Sequence, residues 1–114
     1  MVIIKEKEVY SLWLNILRNF PRVERFGIGY RLDQSLLSLL EYTLNSAYLP
    51  TVEKIIALRK TISKLDAVKF FVQLAWENKL IPTEKHSELS VKLEEIGRML
   101  GGWKKGLETK LPAK

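Results

Sequence analysis

The sequence predicts an all-α fold, an antiparallel up-down four-helix bundle. Four segments carry apolar residues at alternating three- and four-residue intervals, which is the spacing of a buried helix face. Short turns containing proline or glycine separate them, and no segment shows the alternation of a β-strand. Because short connections favour antiparallel neighbours, the 114 residues are expected to fold as one bundle around one core.

The first two helices are predicted at about 5–19 and 30–47. The first has an apolar face formed by Tyr10, Trp13, Leu14 and Leu17. It ends at Pro21, since proline cannot continue a helix, and the connector 22–29 contains two glycines on which the chain can turn. The second has a wider apolar face formed by Leu32, Leu36, Leu39, Leu40, Thr43 and Ala47.

The third predicted helix, about 52–79, is the longest, and Thr51 is its predicted N-cap. Its apolar seam is predicted at Ile55, Leu58, Ile62, Leu65, Val72 and Trp76. Lys69 interrupts this seam, which leaves three interpretations open. It is a snorkelling lysine, it forms a buried pair with a carboxylate such as Asp33 or Glu41, or it places a charge where subunits or a channel meet.

Further apolar side chains on the third helix lie off its main seam, at Phe70, Phe71 and Leu74. One antiparallel neighbour does not need so much apolar surface. The excess predicts a subunit interface.

The fourth predicted helix covers about 84–104, with its seam at Leu89, Leu93, Ile96, Leu100 and Trp103. Glycine inside a helix costs about 1 kcal/mol relative to alanine, so Gly97 and Gly101 need a reason. They lie one turn apart and would let another backbone come close, so with Trp103 they are the predicted helix-packing residues. The bundle domain is predicted at 1–106, followed by a frayed basic tail at 107–114.

Positive charge is concentrated in the second half of the chain. The net charge is +1 over residues 1–50 and +5 over residues 51–114. Such a half favours a polyanionic partner, because lysine and arginine release counterions from a phosphate backbone. The alternative is a solvated, lysine-rich surface. Lys60 and Lys64 lie one turn apart on the third helix and could follow a phosphate backbone, and Arg98, Lys104 and Lys105 add charge beside the glycines.

The sequence offers little for catalysis or metal binding. There is no cysteine and a single histidine, His86, so neither a thiolate site nor a histidine-rich bundle site is expected. No phosphate-binding loop and no serine or threonine beside a base is found. We therefore expect no enzyme, no cofactor and no metal. No apolar run is long enough to cross a membrane, and a cytoplasmic location is expected.

Three motifs carry a resemblance to a known family. They are Glu24-Arg25-Phe26-Gly27-Ile28-Gly29-Tyr30-Arg31-Leu32, the third-helix residues Leu58-Arg59 with Lys69-Phe70-Phe71-Val72-Gln73-Leu74-Ala75 and Lys79-Leu80-Ile81, and Glu95-Ile96-Gly97-Arg98-Met99-Leu100-Gly101-Gly102-Trp103. Over about residues 9–106 the chain resembles the accessory variability determinant proteins of diversity-generating retroelements. The last motif is the specific one, because the related bundle proteins encoded by intervening sequences in ribosomal RNA genes do not typically carry it.

The resemblance implies a four-helix bundle that assembles as a pentameric barrel with a basic surface. It implies two partners, the reverse transcriptase of the retroelement and nucleic acid, meaning template RNA and complementary DNA in mutagenic retrohoming. The basic positions that match the family are Arg25, Arg31, Arg59, Lys69 and Arg98. Gln73 stands where many relatives have arginine, which implies less charge on that face. No membrane or small-molecule substrate is implied.

The alternative is a structural or protein-interaction bundle of the intervening-sequence type with no nucleic-acid role. The residues alone do not separate the two. Binding to RNA or DNA across a salt series would separate them, since a polyanion-binding surface loses affinity as salt rises.

Overall fold

The computed structural model describes residues 1–112 and shows an all-α chain with four long helices and no strand in that range. They are α1 (Val2–Leu17), α2 (Tyr30–Ser46), α3 (Thr51–Glu77) and α4 (Thr83–Thr109). One helical turn at Arg22–Glu24 and a kinked segment at Arg25–Gly29 form the junction between α1 and α2. The molecule is elongated, with extents of 53 × 23 × 21 Å.

The helices pack as an up-down antiparallel bundle, as predicted. Each contacts its two neighbours in a closed ring in which α2 meets α3, α3 meets α4, and α1 meets both α4 and α2. Asp33 at the start of α2 accepts hydrogen bonds from Tyr10 Oη at 2.8 Å and Trp13 Nε1 at 3.1 Å. Burial and this hydrogen bond to Asp33 raise the pKa of Tyr10 to about 12.

The core consists of one buried seam from each helix, and Trp13 lies at its centre with no exposed surface. On α1 and just beyond it the buried residues are Val2, Glu6, Val9, Trp13, Ile16 and Phe20. On α2 they are Leu32, Leu36, Leu39, Thr43 and Ser46, and on α4 they are Leu89, Leu93, Ile96 and Leu100.

The seam of α3 differs from the predicted one. Its buried residues are Ile55, Leu58, Thr61, Leu65, Val68, Val72 and Ala75. Val68 thus occupies the place assigned to Lys69, and the polar residue inside the seam is Thr61. The small side chains of Thr61 and Ala75 suit the line of closest helix approach, whereas the larger Ile62 and Trp76 lie half-buried beside it.

The helix ends also correct the predictions. Pro50 and Pro82 are the N-caps of α3 and α4, with Thr51 as the first helical residue and no side-chain capping bond. α3 closes with Lys79 in the left-handed conformation, at φ 63°. There Leu80 N–H donates to Ala75 O and Lys79 N–H donates to Trp76 O, which is a Schellman motif.

The last helix continues five residues past its predicted end at 104. Leu107 packs against the core and Lys104 pairs with Glu108 one turn later, so part of the tail predicted to fray at 107–114 is helical. Residues 113–114 of that tail lie outside the described residues.

The α1–α2 junction favours a glycine at position 29. A Cβ atom on Gly29 would lie 3.0 Å from both the backbone Glu24 O and Leu17 Cδ1, which is closer than nine in ten real Cβ contacts. The backbone kinks at Gly27, with φ −101° and ψ −109°. This kink lets the chain reverse from α1 into α2.

Candidate nucleic-acid interface

The surface between α2 and α3 carries basic side chains that lie over aromatic rings. Arg31 Cζ lies 5.6 Å from the centroid of the Phe71 ring, and Lys64 Nζ lies 5.4 Å from the centroid of the Tyr42 ring. Both contacts bridge the two helices, and both distances fall within the range of a cation–π interaction. We call this surface, formed by Arg31, Tyr42, Lys60, Lys64 and Phe71, the α2–α3 furrow.

The register of α3 explains why these residues share one side. Lys64 and Phe71 are seven residues apart, so they repeat at the same position of the heptad, immediately before the buried Leu65 and Val72. Lys60 lies one turn before Lys64 and lines a shallow cavity of about 290 Å³ with Tyr42. The three side chains therefore follow the α2 side of α3, over roughly 16 Å of helix.

The cations of the furrow are not neutralised within the chain. Arg31, Lys60 and Lys64 form no ion pair within 4.0 Å among the described residues, although Glu53 lines the same cavity as Lys60. Arg31 and Lys60 are exposed to solvent. Positive charge that no carboxylate balances remains available to an anionic ligand.

The structure places three of the other predicted residues at the contact between α3 and α4, away from the furrow. Lys69 Nζ pairs with Glu94 Oε1 at 3.1 Å, so its carboxylate partner is neither Asp33 nor Glu41. Arg59 and Lys104 share Glu108, at 3.7 Å and 3.2 Å. Charges that are already paired contribute less to attracting a polyanion than the free cations of the furrow do.

The remaining predicted basic residues are dispersed. Arg25 braces the α1–α2 junction, because its Nε donates to Phe20 O and one Nη donates to Arg18 O. Arg98 and Lys105 are exposed on α4, on a different helix from the furrow. The nine basic residues singled out from the sequence thus do not form one surface. Arg31, Lys60 and Lys64 share the furrow, whereas Arg59 and Lys104 meet at Glu108.

The three predicted helix-packing residues have different surroundings in the bundle. A Cβ atom on Gly97 would lie 3.3 Å from Lys69 Nζ and 3.4 Å from Leu65 Cδ2, so this glycine permits a close approach to α3. A Cβ atom on Gly101 would meet nothing within 4 Å, so no helix within the described chain needs that glycine. Trp103 is half-buried, with Lys54 Nζ 5.9 Å from the centroid of its ring.

Gln73, the position where many relatives carry arginine, lies on the α4 side of α3. Its amide donates to Glu77 Oε2 at 3.3 Å, and it lines a cavity of about 220 Å³ together with Trp76 and His86. His86 stacks on Trp76 with ring centroids 4.4 Å apart. This packing contact accounts for the position of the His86 side chain. Residues 1–112 contain no group of three or more side chains able to hold a metal ion.

Sequence reasoning missed two features of the molecule. The aromatic partners of the furrow, Tyr42 and Phe71, were not connected with the basic residues, because no sequence signal shows which side chains face each other across two helices. The buried Glu6 was also missed. Its heptad spacing with Val2, Val9 and Trp13 was a signal that could have revealed it.

The fold and this surface define a class: a small helical bundle with an open basic and aromatic furrow. The chain belongs to the bAvd-like family, whose sequence profile matches residues 1–107. Membership indicates an accessory protein of the retroelement type. A comparison with curated proteins finds no match. No helix in residues 1–112 combines the length and apolar character that a membrane span requires.

Proposed function

We propose that this chain is a non-catalytic accessory subunit of a diversity-generating retroelement. It binds the reverse transcriptase and holds nucleic acid, template RNA or complementary DNA, during mutagenic retrohoming in the cytoplasm. The observation that carries the nucleic-acid role is the α2–α3 furrow, where Arg31, Lys60 and Lys64 have no carboxylate partner among the described residues. The polymerase as partner is supported by membership in the bAvd-like family.

Assembly as a pentamer belongs to the same proposal. Large apolar side chains remain exposed around the α2–α3 turn, and burying them is a reason for the chain to associate with copies of itself. They are Leu44, Tyr48, Leu49, Val52 and Ile56. The open side of Gly101 would also let a second copy approach α4 closely.

The direct test measures three properties of the purified chain. We expect a native mass near five times the 13.2 kDa of one chain, co-purification with the reverse transcriptase of the same retroelement, and RNA binding that weakens as salt rises. Each phosphate contact contributes a slope of about −0.7 to −0.9 when the logarithm of the affinity is plotted against that of the salt concentration.

Two results would contradict the proposal. If RNA and DNA both fail to bind at low salt, the basic furrow is only a solvated surface, and the chain is better described as a protein-interaction bundle. If the polymerase is not retained in the presence or absence of RNA, the proposed role as its accessory subunit is lost.

A further inference from the structure

The furrow continues onto an exposed aromatic ring, Phe70. This side chain is 62 % exposed although it is large and apolar. Its ring meets that of Phe71 edge to face, with centroids 5.7 Å apart and an interplanar angle of 71°. Since Phe71 in turn lies under Arg31, the three side chains form one continuous strip, which we call the Phe70 strip.

Exposed aromatic side chains are confined to this half of the bundle. Among the described residues with large exposed apolar surface, the aromatic ones are Phe26, Tyr30, Tyr42, Tyr48 and Phe70. All lie on the α1–α2 junction, on α2 and its following turn, or on α3, and none lies on α1 or α4. Nothing within the described chain covers Phe70, so packing of the monomer does not explain it.

We infer that the Phe70 strip stacks unpaired bases, so that the furrow binds single-stranded nucleic acid in preference to a duplex. This inference rests on the proposed function and names the form of its nucleic-acid ligand. The exposed Phe70 ring offers a flat apolar face, and Arg31 over the adjoining Phe71 ring supplies a positive charge, which together match a base and its phosphate. In a duplex the bases are already stacked and paired, and their faces are not available.

The arrangement along α3 fits a strand that runs through the furrow. Phe71 and Lys64 are seven residues apart, about 10 Å along the helix axis, and Lys60 lies about 6 Å further. A base on the strip would therefore leave the following phosphates near Lys64 and Lys60. These cations have no ion-pair partner within 4.0 Å in the described part of the chain, so a polyanion complements the furrow better than an apolar protein surface does.

The test compares two substitutions of the same exposed residue. Phe70→Leu keeps an apolar side chain but removes the aromatic face, whereas Phe70→Tyr keeps the face. Fluorescence anisotropy would follow the binding of labelled single-stranded RNA, single-stranded DNA and an RNA duplex of equal length. Val91→Ala is the matched control, because Val91 is an apolar residue of similar exposure, 67 %, and lies on α4, away from the furrow.

We expect Phe70→Leu to weaken binding of both single strands by about tenfold, as loss of one stacking ring does, and to leave the duplex unchanged. Phe70→Tyr should bind within about twofold of the wild type, and Val91→Ala should have no effect. RNA and DNA strands should respond alike, since stacking on an aromatic ring tolerates every base. Because Phe70 is exposed, the melting temperatures should remain equal.

Several results would overturn the inference. They are unchanged single-strand affinity in Phe70→Leu, tighter binding of the duplex than of the single strands by the wild type, and an equal loss in Val91→Ala. Loss of polymerase capture with unchanged RNA affinity would also overturn it, because the strip would then be a protein contact. A wild type that binds no nucleic acid at low salt contradicts the proposed function itself, so the two failures are distinguishable.

Discussion

Glu6 lies in the core with 1 % of its surface exposed. Thr43 donates a hydrogen bond to Oε2 at 2.7 Å, while Oε1 meets no hydrogen-bond donor among the described residues. Burial disfavours the ionised carboxylate more strongly than the Thr43 hydrogen bond favours it, and the pKa of Glu6 is raised from 4.5 to about 7. One side chain therefore makes the stability of the bundle depend on pH between 4.5 and about 7.

The sign of this dependence follows from the two states. Below pH 4.5 the carboxyl is protonated in both the folded and the unfolded chain, and no penalty exists. Between pH 4.5 and 7 the unfolded chain ionises while the folded one stays protonated, so the free energy of unfolding falls as pH rises. Above pH 7 both states are ionised, and the full penalty of about 3 kcal/mol persists.

We expect Glu6→Gln to remove the part of the pH dependence between pH 4.5 and 7 that arises from this side chain. The amide oxygen can still accept the Thr43 hydrogen bond, but the side chain no longer titrates. Urea denaturation at several pH values would measure the change, with Glu8→Gln as control because Glu8 is exposed on the same helix. Equal pH profiles for wild type and Glu6→Gln would show that Glu6 does not carry the effect.

At the scale of helices, the number and order of the four long helices follow from the sequence, but the register of α3 does not. The seam through Leu58, Leu65 and Val72 is common to the predicted and observed patterns. The other positions of the seam are ambiguous in the sequence. Ile62 and Trp76 are large and apolar, whereas Thr61 and Ala75 are small, and helical spacing allows either pair to be buried. Only packing against both α2 and α4 decides which set is fully buried, and sequence spacing does not contain that information.

The two C-terminal glycines are expected to respond differently to the same substitution. Gly97→Leu inserts a side chain toward Leu65 and the Lys69–Glu94 pair, and such overpacking should lower the free energy of unfolding by about 1–3 kcal/mol. Gly101→Leu meets no neighbour within 4 Å and should fold normally, with a gain in helix propensity. In the proposed pentamer the leucine side chain of Gly101→Leu would block the close approach of a second copy, so the native mass should fall.

Thermal unfolding together with native mass spectrometry separates these effects. Gly102→Leu adds the same side chain at a neighbouring open position and serves as the control. A normal melting temperature in Gly97→Leu would show that α3 and α4 do not depend on that close approach. An unchanged assembled mass in Gly101→Leu would remove Gly101 from the proposed subunit interface.

At the scale of the molecule, the sequence identified a basic second half but not which of its charges are free. Arg59 and Lys69 pair with Glu108 and Glu94 across α3 and α4, and Lys104 pairs with Glu108 within α4. Charge counts along the chain do not reveal such pairs, because the partners lie more than twenty residues apart for Arg59 and Lys69. The fold pairs the cations that lie between α3 and α4 and leaves those of the α2–α3 furrow without a carboxylate partner among the described residues.

The most direct test of the account is the salt dependence of RNA binding in two variants that remove charge from opposite sides of α3. Lys60→Gln combined with Lys64→Gln removes two open cations, whereas Arg59→Gln removes one that is paired with Glu108. We predict that the double variant reduces the slope of log affinity against log salt by about 1.4 to 1.8, and that Arg59→Gln leaves it unchanged. An unchanged slope in the double variant, or an equal reduction per residue in Arg59→Gln, would contradict the assignment of the furrow as the nucleic-acid interface.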